Sequence, residues 1–148
     1  FIAYYYASKI AFVLGMFESI KEYKNEMIHI EKVPSLSKNQ QEALEFIKTK
    51  QTSLLFGDTG SGKTEIYISL IKEYLEQGKQ VLLLMPEIAL TPQMQKRLKV
   101  YFGEYFFLWH SKITKKKKQE YLQDLINSKA LLVVGARSAL FLPFKNLG

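Results

Sequence analysis

Residues 57–64 read Gly57-Asp58-Thr59-Gly60-Ser61-Gly62-Lys63-Thr64, set between a short apolar run at 53–56 and an amphipathic stretch at 63–77. No other feature restricts the chain so far. Three glycines in eight residues let the backbone wrap until successive N–H groups face one concavity, where anionic oxygens accept hydrogen bonds. A helix starting at Lys63 adds the positive end of its dipole to the same place. Lys63 then reaches the outer phosphates of a nucleotide as a point charge, and Thr64 offers a hydroxyl to Mg²⁺. The spacing G-x4-G-K-T between strand and helix therefore predicts a phosphate cradle made by all eight residues. It does not choose between a kinase, a GTPase, a transporter ATPase and a helicase.

The rest of the chain alternates in the same way. Ser37-Lys38-Asn39-Gln40 reads as a capping box opening a helix with Ala43, Leu44 and Ile47 inward, ending near Lys50. Residues 53–56 read as a strand, and 63–77 as a helix with Ile66, Tyr67, Leu70, Ile71, Tyr74 and Leu75 on one face and Gly78 as its stop. The unbroken apolar run at 81–85 predicts a strand buried on both faces. Thr91-Pro92 opens a helix that Gly103 ends, and a strand follows at 105–109. A polar helix spans 114–127 with Tyr121, Leu122, Leu125 and Ile126 inward, before a last strand at 130–134. Repeated strand–helix alternation means a parallel sheet, and the fold class is α/β.

The N-terminal part differs. Residues 1–17 are aromatic and helix-compatible, residues 18–35 are strongly charged and contain Pro34, and the regular pattern fills 36–148. This divides the chain into an upstream helical segment, a linker and a nucleotide-binding region. Lys9 sits at the centre of the first apolar run, which is at the short limit for a membrane span, so a soluble helix is expected there. No secretory signal is visible, and there is no cysteine, which excludes disulfides, thiolate metal sites and a cysteine nucleophile and fits a cytoplasmic setting. The chain opens on Phe1 without a methionine and stops after an apolar stretch, as an excerpt of a longer polypeptide would. A net charge of +7 favours polyanionic partners without specifying one.

Four blocks in order carry a resemblance: Thr59 through Glu65, Pro86-Glu87-Ile88-Ala89-Leu90-Thr91-Pro92-Gln93, His110-Ser111, and Gly135-Ala136-Arg137-Ser138-Ala139-Leu140-Phe141. Residues 36–148 resemble the first lobe of the PriA family of primosomal replication-restart helicases, within superfamily 2. The resemblance implies part of a RecA-like P-loop lobe, use of ATP and Mg²⁺, and 3′-to-5′ movement on single-stranded DNA. It also implies partners among forked DNA, replication-restart proteins and single-strand-binding proteins, in a bacterial cytoplasm at the nucleoid and away from membranes. Gln40 resembles an adenine-reading position, although its capping role already explains it. Pro86 and Thr91 fall in motif Ia, and Arg137 and Ser138 in an Ib-like block, both implied to lie near the DNA backbone. Those blocks follow the carboxyl ends of predicted strands, where ligand sites collect in open parallel sheets.

Departures from the family pattern are specific. Ala136 stands where the family usually has threonine, and Lys117 and Lys118 where it has an acidic–arginine pair. The stretch before Ser37 is short for the family's winged-helix module. Its Walker B block, second lobe and zinc-binding cysteines are implied to lie beyond Gly148, and no Asp or Glu follows Asp124. The excerpt is therefore expected to bind nucleotide without hydrolysing it or unwinding DNA. The resemblance also implies that strands missing here lie beside the P-loop strand, so independent folding of the excerpt is an open point. The alternative is a non-catalytic nucleotide- or nucleic-acid-binding module. A small-molecule P-loop kinase is disfavoured because Arg97 and Arg137 are the only arginines for a lid.

Blander roles stand beside the sharper ones. His110 reads as a strand-end structural residue rather than a catalyst, His29 as inert, and Asp58 as a variable loop position. Lys115-Lys116-Lys117-Lys118 is either a solvated helix start or a DNA-facing patch. Tyr4, Tyr5 and Tyr6 either pack against upstream structure or stack on bases. Glu87 either bonds a neighbouring loop or repels phosphate.

Overall fold

The computed structural model describes residues 28–31, 33–127 and 129–148. The expectations for residues 1–17, including Tyr4 to Tyr6, lie outside them. In chain order the described elements are α1 (Lys38–Lys48), α2 (Lys63–Glu76), β1 (Val81–Leu84), α3 (Pro92–Phe102), β2 (Phe106–Trp109), α4 (Lys115–Ile126) and β3 (Leu132–Gly135). Short 3-10 turns occupy Glu87–Ala89, Gly103–Tyr105 and Arg137–Phe141.

Helix starts follow their local chemistry. Ser37 accepts the Gln40 N–H while the Gln40 side chain accepts the Ser37 N–H at 2.8 Å, so both arms of the capping box are formed. Thr91 accepts from the Met94 N–H with Pro92 at the first helical position, and Thr114 accepts from the Lys117 N–H.

The sheet is parallel in the order β1-β3-β2, with Val81 and Phe106 both level with Leu132. Alternation along β3 divides the core between the two faces. Leu132 and Val134 pack with Ile68, Ile71 and Leu75 of α2 and Leu98 and Phe102 of α3. Leu131 and Val133 pack with Phe107, Leu122 and Leu125 on the opposite face, where α4 lies. Tyr121 of α4 stacks on Phe107, ring centroids 4.1 Å apart. Helices thus cover both faces, the layering of an α/β domain.

Three expectations are corrected. The strand buried on both faces is β3, every residue of which is buried, whereas β1 is half-buried and Leu84 exposed. β3 has a ladder on each side; β1 has β3 on one side and a single bridge, Gln80 to Leu147, on the other. Residues 53–56 do not form a strand: Leu54 is 90% and Phe56 89% exposed, and among the described residues no strand pairs with them. An apolar run becomes a strand only where a neighbour offers its ladder. In α2 the buried set includes Ile68, fully covered, while Tyr67 is 39% exposed. Helix α1 packs on one side of α2 and β1 on another, so burial spreads past a single stripe.

The charged stretch before Pro34 contributes to the core as well. Ile30 is buried in the cluster beneath α2 and its N–H donates to Glu76 at 3.1 Å, with Ile28 and Val33 packed alongside. His29, read as inert, lies 3.5 Å from the same carboxylate. No described helix is long and apolar enough to cross a membrane.

Candidate functional site

The loop before α2 has the geometry its glycines predict. Gly60 and Gly62 take φ of 85° and 83°, a left-handed conformation that L side chains avoid. Gly62 serves as N-cap with no side chain of its own to cap the helix, leaving the first N–H groups of α2 aimed at the loop's concavity. The Lys63 ammonium donates to the carbonyls of Gly57 and Asp58 at 2.5 and 2.6 Å, which closes the loop on itself and holds the charge at its mouth. Asp58 takes part through its backbone: its carbonyl also accepts the Ser61 N–H at 3.2 Å.

A cavity of about 570 Å³ opens over this loop, lined by Thr59 to Glu65 together with Gln40 and Arg97. Gln40 does more than cap. Its amide nitrogen donates to the Gly62 carbonyl at 3.2 Å, tying α1 to the phosphate loop across 22 residues. Left-handed glycines, a helix N-terminus, one ammonium and the Thr64 hydroxyl form a donor set that suits a nucleotide's phosphates with Mg²⁺.

The two left-handed glycines are not equivalent. A Cβ at Gly62 would fall 2.0 Å from the Gln40 amide nitrogen, whereas at Gly60 nothing lies within 4 Å. Gly60→Ala is expected to cost only the left-handed penalty, about 1–2 kcal/mol. Gly62→Ala adds the displacement of Gln40 and should cost roughly 1 kcal/mol more, for the loss of that hydrogen bond. Urea denaturation of the two variants checks this; equal midpoints would refute the role given to Gln40.

Two residues of this cavity, one at the end of the first block and one weighed only as a lid arginine, are joined in a way their motifs do not predict. Glu65, third residue of α2, is ion-paired with Arg97 of α3. The Arg97 hydrogen bond holds the Glu65 carboxyl below its ordinary range, and Glu65 in turn raises Arg97, with Tyr101 one helical turn on adding to it. The available signal was an acid directly after the Lys-Thr pair, at the helix start where the dipole favours it.

A second cavity, about 710 Å³, lies past the carboxyl ends of β2 and β3. Glu87, Leu90 and Gln95 line one side, Trp109 to Lys112 another, and Ala136 and Ser138 a third. Of the four residues expected near a DNA backbone, Ser138 lines this cavity, while Pro86, Thr91 and Arg137 are exposed and outside its lining. Glu87, left open between two roles, faces the cavity. Lys118 also lines it, its ammonium 5.6 Å from the Trp109 ring centroid, whereas Lys115, Lys116 and Lys117 are exposed. His110 Nδ1 accepts the Lys112 N–H at 3.2 Å, a turn-forming contact. The structure thus brings Gln40 and Thr59 to Thr64 to one cavity, with Gly57 and Asp58 bonded to Lys63 outside its lining, and residues of all three later blocks to another.

Comparison with known proteins fits this arrangement. The DEAD/DEAH box helicase family matches residues 37–147. The chain belongs to the DEAD/DEAH box helicase family. The DEAD/DEAH match opens on the N-cap of α1 and closes on Leu147, the residue bridged to Gln80, so it takes in both cavities and the whole sheet. Family membership makes the fold a RecA-like lobe. Among relatives, the replication restart protein PriA of Helicobacter pylori is 51% identical over 152 residues, covering 100% of this chain and 24% of its own length. The replication restart proteins PriA of Rickettsia felis and Bacillus subtilis are 47% and 41% identical over 117 and 132 residues, covering 78% and 85% of this chain and 18% and 16% of their own lengths. The chain spans about a quarter of the Helicobacter relative.

Proposed function

We propose that the chain is the ATP-binding part of the first lobe of a 3′-to-5′ DNA helicase that acts in replication restart and primosome assembly. One observation supports this above the others: an anion cradle and a second, cation-bordered cavity are built on the same RecA-like lobe, in a chain whose relatives are named for replication restart. Gly57 to Thr64 hold the triphosphate, Thr64 serves its Mg²⁺, and Gln40, which lines the same cavity, takes the base in exchange for its bond to Gly62. The metal, when bound, draws charge from the phosphate oxygens. Residues 36–148 form this nucleotide-binding region together with Ile28, Ile30 and Val33 packed into its core, and residues 1–17 are the end of an upstream DNA-binding segment. Nucleotide binding is the role assigned to this stretch.

Pro86, Thr91, Arg137 and Ser138 hold the DNA backbone around the second cavity, on single strands and at forks. Such contacts fix position without reading sequence. ATP hydrolysis by the intact protein is expected to rise with single-stranded or forked DNA; absence of stimulation by either would sink the reading. Removing Arg137 or Lys118 should each flatten the dependence of log affinity on log salt by about 0.7 for single strands. An unchanged slope in both variants would move the DNA contacts elsewhere on the lobe.

A further inference from the structure

Helix α3 is a wall shared by both cavities. Gln95 lines the second and Arg97 the first, and two positions on an α-helix lie roughly 200° apart around its axis. Each end of that relation is held. Arg97 is paired with Glu65, which directly follows the phosphate-binding Thr64. The Gln95 amide donates to the Leu90 carbonyl at 2.7 Å, fastening the 86–91 loop to the helix it precedes. Leu98 and Phe102 bury the second half of α3 in the core.

We propose that the Glu65–Arg97 pair is the brace that couples nucleotide occupancy to the DNA grip of the 86–91 loop. The inference rests on the reading of the two cavities given above and assigns the link between them. Closing of the loop around phosphates moves the first turn of α2, and Glu65 is in that turn. The guanidinium's rigid, directional donors pass such a movement on where a flexible ammonium would not. Arg97 then carries it through α3 to Gln95 and Leu90. Glu65 and Arg97 are positioning residues, and neither is assigned a contact with reacting atoms.

Coupling between two sites is reciprocal and is read as a ratio of affinities. In the intact protein, affinity for a fluorescent ATP analogue is measured with and without a deoxythymidine oligomer, for the parent, Glu65→Ala, Arg97→Ala and the double variant. Either single substitution is expected to reduce the ratio at least fivefold; the ratio rather than nucleotide affinity alone is the readout, because both residues line the nucleotide cavity. The double variant is expected to lose no more than either single, because the two residues act as one unit. Arg97→Lys, which keeps the charge and most of the packing, should fall between parent and Arg97→Ala. Singles that retain the parent ratio, or a double whose loss is the sum of the singles, would overturn the brace alone. A parent that binds no nucleotide, or whose nucleotide affinity ignores the oligomer, would overturn the two-cavity reading and the brace with it.

Discussion

Gln80→Ala is expected to be strongly destabilising, lowering the thermal midpoint by roughly 10 °C. Gln80 is fully buried just before β1, and every polar atom of it is used. Its amide nitrogen donates to the carbonyls of Leu125 at 2.7 Å and Lys129 at 3.3 Å, closing the turn between α4 and β3. Its amide oxygen accepts the N–H groups of Lys145 and Asn146 at 2.9 and 3.1 Å. Its backbone donates to Asn146 and accepts from Gly148, the start of pairing on the open side of β1. One side chain therefore joins three stretches that are far apart in sequence. Truncation leaves the N–H groups of Lys145 and Asn146 and the Lys129 carbonyl without this partner, while the Leu125 carbonyl keeps the Asn127 N–H, at about 1–3 kcal/mol for each buried group left unpaired. With three part-buried groups left unpaired the loss comes to about 3 kcal/mol, a large share of a domain's 5–15 kcal/mol. At roughly 3 °C per kcal/mol for a chain of this size, the shift is easily read by circular dichroism. Gln80→Glu should be nearly as damaging at neutral pH, because a carboxylate accepts but cannot donate to Leu125 and Lys129. It should recover partly in acid, where the carboxyl gains a donor. A midpoint within about 2 °C of the parent for Gln80→Ala would mean water replaces the side chain and the junction is not structural.

Gln80 also shows where sequence stops being informative. In Gly78-Lys79-Gln80-Val81 it is one polar residue among the turn residues after a helix, and nothing local sets it apart. What its amide does depends on Leu125, Lys129, Lys145 and Asn146, 45 to 66 residues away. Caps behave in the opposite way. Ser37 with Gln40, Thr91 with Pro92, and Thr114 are legible because the donor and acceptor lie within three residues, and all three helices begin where the pattern puts them. Strand existence is legible from composition at 81–85, 105–109 and 130–134. Strand order is not, because the apolar runs of β1 and β3 look alike and only pairing decides which is central. The same limit explains residues 53–56, whose run is as apolar as the others but finds no ladder among the described residues. At the site, the phosphate loop was legible because glycine spacing is a backbone requirement. The Glu65–Arg97 pair was not, since it joins residues 32 apart on two helices.

Lys63→Ala is expected to weaken nucleotide binding by roughly 10- to 100-fold while leaving the unliganded fold nearly intact. The ammonium is the one side-chain cation within the loop from Gly57 to Thr64, in a cavity that Gln40 and the ion-paired Glu65 and Arg97 also line. A hydrogen bond to a charged group contributes about 1.5–3 kcal/mol, and each 1.4 kcal/mol is a factor of ten in affinity. Its cost to the fold is smaller, because Lys63 is only half-buried and the carbonyls of Gly57 and Asp58 that it bonds can turn to water. Lys63→Arg should not restore binding. The loop closes around a compact group with carbonyls at 2.5 and 2.6 Å, and a planar guanidinium presents its donors in a fork that this geometry does not match. Titration of a fluorescent ADP analogue into the parent and both variants, with thermal denaturation alongside, separates the two effects. Loss of affinity with an unchanged midpoint locates the nucleotide in the cavity over the loop. Parent-like affinity in Lys63→Ala, within about threefold, would show that the backbone nest and helix dipole hold the anion without the lysine, and would refute its assignment as the phosphate's charge partner.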